Sequence, residues 1–263
     1  MTRFSVVTPT FQRRQVVRRS IDSALTFARA VGDTELVVVD DASYDGTLEE
    51  IREAYSDEID QGLIVLLRRP LNGGVTAAKN DGARAASGEW VIFLDSDDRL
   101  LPAAAEAIPT FAIRHATAPI LFFRCVDEKG HLVGAPAAES RLDLAALLTH
   151  GIPGECLPVV ARKAILAHPY DEDLRGFEDL AYLRMVQVHG PAVLSDAVLR
   201  SYSTAGSDRL STLTGRLRRA RLMTRGFVRM LREFGHLLPL RQRLALGVRA
   251  VVYAIAAIFG FGL

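Results

Sequence analysis

Four short apolar runs, "FSVVT" (Phe4 to Thr8), "ELVVV" (Glu35 to Val39), "LIVLL" (Leu63 to Leu67) and "WVIFL" (Trp90 to Leu94), constrain this chain most. Each is rich in β-branched or aromatic residues and too short to be a helix. Between them lie stretches of helical length, "RRSIDSALTFARA", "GTLEEIREAY" and "VTAAKNDGARAA". Strands apolar on both faces and separated by helices need cover on both sides, which predicts an α/β fold with a mostly parallel central sheet flanked by helices. At 263 residues and 49% hydrophobic, the chain suffices for one large domain, or one domain with an appendage.

In such sheets ligands collect outside the carboxyl ends of the strands. Polar residues recur there: Pro9-Thr10-Phe11 after the first run, Asp40-Asp41-Ala42-Ser43 after the second, Arg68-Arg69 and "NGG" after the third, and Asp95-Ser96-Asp97-Asp98 after the fourth. Three carboxylates at the end of a buried strand repel one another and resist desolvation, so something positive is expected among them. Asp95 and Asp97 are two apart, and on extended chain their side chains would point the same way and share a ligand. A hard divalent cation such as Mg²⁺ or Mn²⁺ suits that pair, because it takes few carboxylates and completes its shell with water and phosphate. The plainer reading makes Asp98 the cap of the helix beginning in "PAAAEAIPTF". For Asp41, ordinary turn chemistry in "SYDG", with Asp45 or Thr47 as helix cap, competes evenly with a functional role.

Cys125 and Cys156 are far apart and read as buried thiols of a reducing compartment. The N-terminus "MTRFSVVTPTF" turns polar early and is not a secretion signal, so a cytoplasmic location is expected, with peripheral placement on the inner membrane face as an option. Neither G-x-G-x-x-G after the first strand nor G-x-x-x-x-G-K-[ST] occurs, which disfavours dehydrogenase and P-loop readings.

Four segments together resemble one family. "VVTPTFQR" (Val6 to Arg13), "VVVDDASYDGT" (Val37 to Thr47), "NGGVTAAKNDGARAASGEWVIFLDSDD" (Asn72 to Asp98) and "YDEDLRGFEDLAYLRMV" (Tyr170 to Val186) resemble, in order and spacing, the motifs of the inverting family 2 glycosyltransferases of GT-A fold. The resemblance implies a nucleotide-diphosphate-sugar donor, a glycan or lipid-linked acceptor, a divalent metal and, by family habit, bacterial envelope glycan synthesis. It implies that Pro9, Thr10 and Asp41 hold base and ribose, with Phe11, Arg13 and Ser96 in the same donor site. Lys79, where the family often has arginine, would approach the diphosphate. Asp95 and Asp97 look like the D-x-D pair, with Asp97 on the metal and Asp95 on ribose or metal-bound water. Asp179, beside Glu178, is similar to the catalytic base. The resemblance suggests a uracil nucleotide. Without it, Glu178-Asp179 reads as an acidic helix start. Where many members carry a histidine after the base, "SYSTAGSDRLST" has none, leaving Arg209 or Ser207 as substitutes and a catalytically inactive nucleotide-sugar-binding protein as the rival.

The expected layout is a catalytic domain over 1–205, with a nucleotide-binding half to about residue 100 and an acceptor half to 205, then 206–263 as a flexible loop and a basic amphipathic helical region. From Arg216 onward ten arginines face one acid, Glu233. "RLRRARLMTRGFVRMLREF" suits an anionic membrane surface, and "AVVYAIAAIFGFGL" is short for a spanning helix. Packing on the catalytic domain or a homo-oligomer contact is the alternative. Nucleic acid is disfavoured, because no aromatic platform accompanies the arginines.

Overall fold

The computed structural model describes residues 3–203 and 213–259. Elements follow the order β1 (Phe4–Thr10), α1 (Val17–Val31), β2 (Thr34–Asp40), α2 (Thr47–Ala54), α3 (Ser56–Asp60), β3 (Ile64–Arg68), α4 (Val75–Ala85), β4 (Trp90–Phe93) and β5 (Arg99–Leu100). Then come α5 (Ala104–Arg114), β6 (Ile120–Asp127), β7 (Ser140–Leu142), α6 (Leu144–His150), β8 (Cys156–Ala161), α7 (Arg162–Ala167), α8 (Glu178–His189) and β9 (Ala192–Tyr202). Three helices close the described chain, α9 (Leu213–Arg218), α10 (Ala220–Phe234) and α11 (Leu240–Ile258).

All four apolar runs become neighbours in one sheet of order β3-β2-β1-β4-β8-β6-β9-β5, with β7 beside β9. The pairs β3/β2, β2/β1 and β1/β4 are parallel, so four strand ends that are far apart in sequence open on one edge. Beyond β4 the sheet is mixed: β8 is antiparallel to β4 and β6, and β6 is parallel to β9. Every residue of β1 and β2 is buried, which accounts for apolar character on both faces of these runs. α1 covers one face through Val17, Ile21, Ala24 and Ala28, spaced by three and four as a single helical stripe requires. Burying each valine, leucine or isoleucine fully contributes about 1.5–3 kcal/mol, so this doubly covered sheet is the main apolar store of the fold.

α4 lies against the other face, and Gly82 sets how closely it approaches. A Cβ there would stand 2.3 Å from Val7 Cγ1 and 3.3 Å from Val39 Cγ2. In an open helix Gly→Ala would stabilise by about 1 kcal/mol, but overpacking a fitted core costs about 1–3 kcal/mol. The clash should win. Gly82→Ala is expected to lower unfolding free energy by about 1–2 kcal/mol in a urea titration; a gain would show that α4 can move outward freely.

Candidate active site

The four parallel strands end in polar loops, and the backbone there is unusual. Gln12 and Ala42, just past β1 and β2, take left-handed φ values of 55° and 63°. Non-glycine residues adopt this region rarely and often beside functional sites. Above them Phe11 and Tyr44 form an edge-to-face pair at 6.3 Å, with Phe11 37% and Tyr44 84% exposed. Pro9 and Thr10 lie inside β1 and are buried, and the Thr10 hydroxyl has no hydrogen-bond partner. Exposed Arg13 donates its backbone N–H to Thr47 Oγ1 at 3.0 Å.

Asp41 is committed to the protein. Its carboxylate accepts Arg69 Nη1 at 2.6 Å and the N–H groups of Gly73 and Gly74 at 2.9 and 2.7 Å. Arg69 Nε reaches Asp81 at 2.6 Å. Asp41 thus fixes the loop leading into α4. Asp45 accepts the Thr47 N–H at 3.0 Å just ahead of α2, as turn chemistry predicts.

The acidic segment departs from its expected geometry. Asp98 N–H donates to the Asp95 carbonyl at 3.0 Å, so Asp95 to Asp98 close a turn instead of continuing the extended strand. Ser20 Oγ on α1 binds the same carbonyl at 3.2 Å. The three carboxylates are then partitioned. Asp98 does not cap α5, whose N-terminus at Ala103 has no side-chain cap. It turns inward instead, 1% exposed, to accept the Ser203 N–H at 2.9 Å and to stand 3.3 Å from Arg200 Nη1. Burial pushes its carboxyl up to about 7 although the guanidinium of Arg200 pulls it back. Asp95 lies 2.9 Å from Lys79 Nζ. Burial alone would raise its pKa, but Lys79, Arg200 and Arg175 outweigh burial and lower it. The positive charge that the sequence demanded is therefore partly the chain's own.

Asp97 is the member with no ion pair among the described residues. Burial, then the charge of Asp95, raise its carboxyl above the ordinary value. Partly buried carboxylates in this state favour a hard cation, so Asp97, supported by Asp95, fits a divalent metal. Among the described residues no group of three His, Cys, Asp or Glu could hold a metal. Donor phosphates and water would have to complete the shell. Ser96, between them, is buried at the turn. Arg209 and Ser207, named above as substitutes for the histidine, lie outside the described residues, as does most of the predicted loop.

The nucleotide half is joined directly to α8. Asn80 on α4 donates Nδ2 to the Tyr170 carbonyl at 2.9 Å, and its Oδ1 accepts the Tyr170 N–H at 3.0 Å. Tyr170 packs on Phe93 and meets the Tyr182 hydroxyl at 3.1 Å. The Lys79 ammonium, opposed by burial, is held above its ordinary pKa by Asp95 and then Glu178. At the start of α8, exposed Asp179 stands among crowded walls; desolvation and then Glu178 push its carboxyl up to about 6. Lys79, Asp95 and Glu178 are thus brought together electrostatically, while Asp41 is engaged with Arg69, Gly73 and Gly74, and Pro9 and Thr10 lie buried in β1. Sequence reasoning missed Tyr44, Arg200 and Arg175, whose buried Nε has no hydrogen-bond partner. Arg175 lies within the fourth quoted segment, but nothing in its spacing marks it as facing Asp95.

Parallel strands ending in polar loops, an acidic turn after β4 and the carboxylate-bearing helix α8 tied to α4 through Tyr170 and Tyr182 are the features of a GT-A domain. Residues 5–132 match Glycosyl transferase family 2. A Campylobacter jejuni GalNAc(5)-diNAcBac-PP-undecaprenol beta-1,3-glucosyltransferase is 34% identical over 108 residues, 41% of this chain and 34% of that protein. The chain thus spans about a third of that relative's length. The structure of Staphylococcus aureus TarS 1-349 with UDP-GlcNAc superposes with a TM-score of 0.68 at 20% identity, covering 87% of this chain and 66% of that one. A Pyrobaculum calidifontis mannosyltransferase with GDP-Man and Mn²⁺ gives 0.64 at 20% identity, covering 100% and 76%. These likenesses establish the fold.

The raised Asp97 pKa has a stability consequence. The folded state holds that proton more tightly than the unfolded chain, so the associated stability is present below the unfolded value of about 3.9 and lost as pH rises through the folded one. Ligand-free Asp97→Asn should melt higher than wild type at neutral pH, with the difference vanishing below about pH 4. Equal melting temperatures at neutral pH would show that Asp97 is not under charge strain.

Proposed function

We propose that the chain is an inverting, metal-dependent glycosyltransferase. It moves a sugar from a nucleotide-diphosphate sugar, with uracil the favoured base, to a hydroxyl of a lipid-linked or polysaccharide acceptor in bacterial envelope glycan synthesis. The observation that carries this reading is that Lys79 stands 2.9 Å from Asp95 on the β4 turn and also feels the charge of Glu178, the neighbour of Asp179, so the acidic turn and the start of α8 bear on one cationic group. An acidic turn and a carboxylate whose pKa is raised to about 6 suit one cation and one base.

In this reading Phe11 and Tyr44 flank the base, with Pro9, Thr10, Arg13 and Ser96 forming the floor and wall, and Asp41 shaping the loop against which the nucleotide lies. Lys79 and Arg175 supply positive charge to the diphosphate, and Asp95 holds Lys79 in place. Mn²⁺ or Mg²⁺ on Asp97 and Asp95 would neutralise charge on the departing diphosphate. Asp179 takes the proton of the acceptor hydroxyl as it attacks the sugar, and Glu178 keeps that base from being too acidic. A single displacement needs no enzyme nucleophile, and accordingly none is assigned. Both cysteine thiols are pushed up chiefly by burial, to about 11 and about 12, and stay inert.

UDP with Mn²⁺ is expected to raise the melting temperature of wild type and of Asp179→Asn, and not of Asp97→Asn. Asp179→Asn should lose sugar transfer by about two to four orders of magnitude. Wild-type turnover should climb as pH rises through about 6, where Asp179 ionises. Transfer by Asp179→Asn at near the wild-type rate would remove Asp179 from the mechanism. Donor binding without turnover in wild type, across an acceptor panel, would favour the inactive binding protein that the missing histidine suggests.

A peripheral site on the inner face of the membrane is part of the same proposal. No helix among the described residues is long and apolar enough to cross a bilayer. Yet Leu240, Leu244, Val248, Val251, Ile255 and Ile258 on α11 are 49–79% exposed, and their spacing of three and four sets them on one face. With exposed Arg221, Arg232, Arg241 and Arg243 nearby in sequence, that stripe fits an anionic interface. Wild type should cosediment with phosphatidylglycerol vesicles and much less with phosphatidylcholine, and the double variant Leu244→Glu/Val248→Glu should stay in the supernatant. Unchanged sedimentation of the double variant would instead favour the stripe as a homo-oligomer contact.

A further inference from the structure

Beside Asp179 lies a second concavity that donor chemistry does not use. A chamber of about 560 Å³ opens between α6, α8, α10 and α11, walled by Leu147, Leu148, Leu183, Met230 and Leu246. Its size is that of a small-ligand site, about 300–1,000 Å³. Asp179 stands at one part of the lining and Arg249 at another, and Arg249 has no ion-pair partner among the described residues.

The C-terminal helices are fastened to the segment carrying Asp179. A Cβ on Gly226 would stand 2.3 Å from the Phe177 ring, so α10 rests directly on the residue before Glu178. Phe227 meets Phe177 at 5.4 Å and stacks with Tyr253 of α11 at 5.8 Å. Arg229 pairs with Asp171 at 2.8 Å and with Asp173, Arg225 pairs with Asp173, and Arg184 pairs with Glu233 at 2.7 Å. A chamber built this way is fixed relative to the proposed base.

Thr149, His150, Tyr182 and Gln242 also border the chamber, but its larger apolar walls are a poor surface for sugar hydroxyls, which lose water against them. They suit hydrocarbon, and the lone arginine suits an anion. We propose that this chamber binds the hydrocarbon chain of a phosphate-bearing lipid acceptor, with Arg249 on the phosphate and Asp179 facing the acceptor hydroxyl. The acceptor role rests on the transferase reading of Asp179; the chain-binding role does not. α11 then serves two surfaces, its inner face walling the acceptor chain and its outer stripe lying toward the lipid in which such an acceptor is dissolved.

Farnesyl phosphate and inorganic phosphate are the probes, titrated calorimetrically into the full chain. Farnesyl phosphate should bind at least about tenfold more tightly than inorganic phosphate. Ala245→Trp fills the chamber from a solvent-reaching position and so need not disturb the core. It should weaken farnesyl phosphate by about tenfold or more, and Leu246→Asp, on the wall itself, should do likewise. Arg249→Gln should weaken both probes. Equal affinity for the two probes in wild type overturns the proposal. So does farnesyl phosphate affinity unchanged by Ala245→Trp but lost in Leu244→Glu/Val248→Glu, which would place the chain on the outer stripe as at a bilayer. UDP and Mn²⁺ stabilisation in the same samples separates the two readings: its absence with farnesyl phosphate binding intact counts against the transferase and leaves the chamber standing.

Discussion

The ion pair between Lys79 and Asp95, 2.9 Å across the top of β4, is the contact on which the site depends. A strand buried on both faces delivers its last residues to a place where carboxylates are poorly solvated, and three acids there are tolerable only with opposing charge. Lys79 answers Asp95 and Arg200 answers Asp98, leaving Asp97 as the one with no ion pair among the described residues, only the more distant charges of Arg13 and Arg200. Removing one partner of a fully buried pair leaves a stranded charge at a cost of several kcal/mol. Asp95 is 35% exposed, so solvent softens that cost here. The arrangement specifies geometry more than it adds stability.

That pair also explains how two halves of the molecule act on one volume. Lys79 sits on α4 next to Asn80, whose amide grips the backbone of Tyr170 from both sides. One turn of helix thereby sets the position of the D-x-D turn and of the segment entering α8. Behind them, α10 leans on Phe177 and anchors Arg225 and Arg229 to Asp171 and Asp173. The arginines that read in sequence as one basic face are thus divided: some are structural ties to the α8 approach, and others stay exposed.

Much was legible beforehand because it depends on local pattern. Burial on both faces writes itself into runs such as "ELVVV", and a parallel sheet follows from the helices between them. The D-x-D segment and Glu178-Asp179 were legible through their order along the chain. Arg200 was not, since in "VLRSY" it looks like an ordinary outward position of a strand. It is 2% exposed because β9 runs past β6 and places it against Asp98, Cys125 and Glu155. Arg69 likewise looked like a polar strand end, and its grip on Asp41 joins residues 28 apart. The turn at Asp95 to Asp98 defeated the alternation rule because one backbone hydrogen bond redirected the chain.

By itself, then, the sequence determined the strands, the parallel half of the sheet, the edge where chemistry could occur and the candidate acids. These follow from side-chain periodicity and from the need to bury apolar surface, both of which act over a few residues. Tertiary structure decided which acid is left without an ion pair, which arginine answers which carboxylate, and that the last helices wall a chamber beside Asp179. Those outcomes depend on distances between residues far apart in the chain and on how much water remains at each, and only the assembled packing sets either.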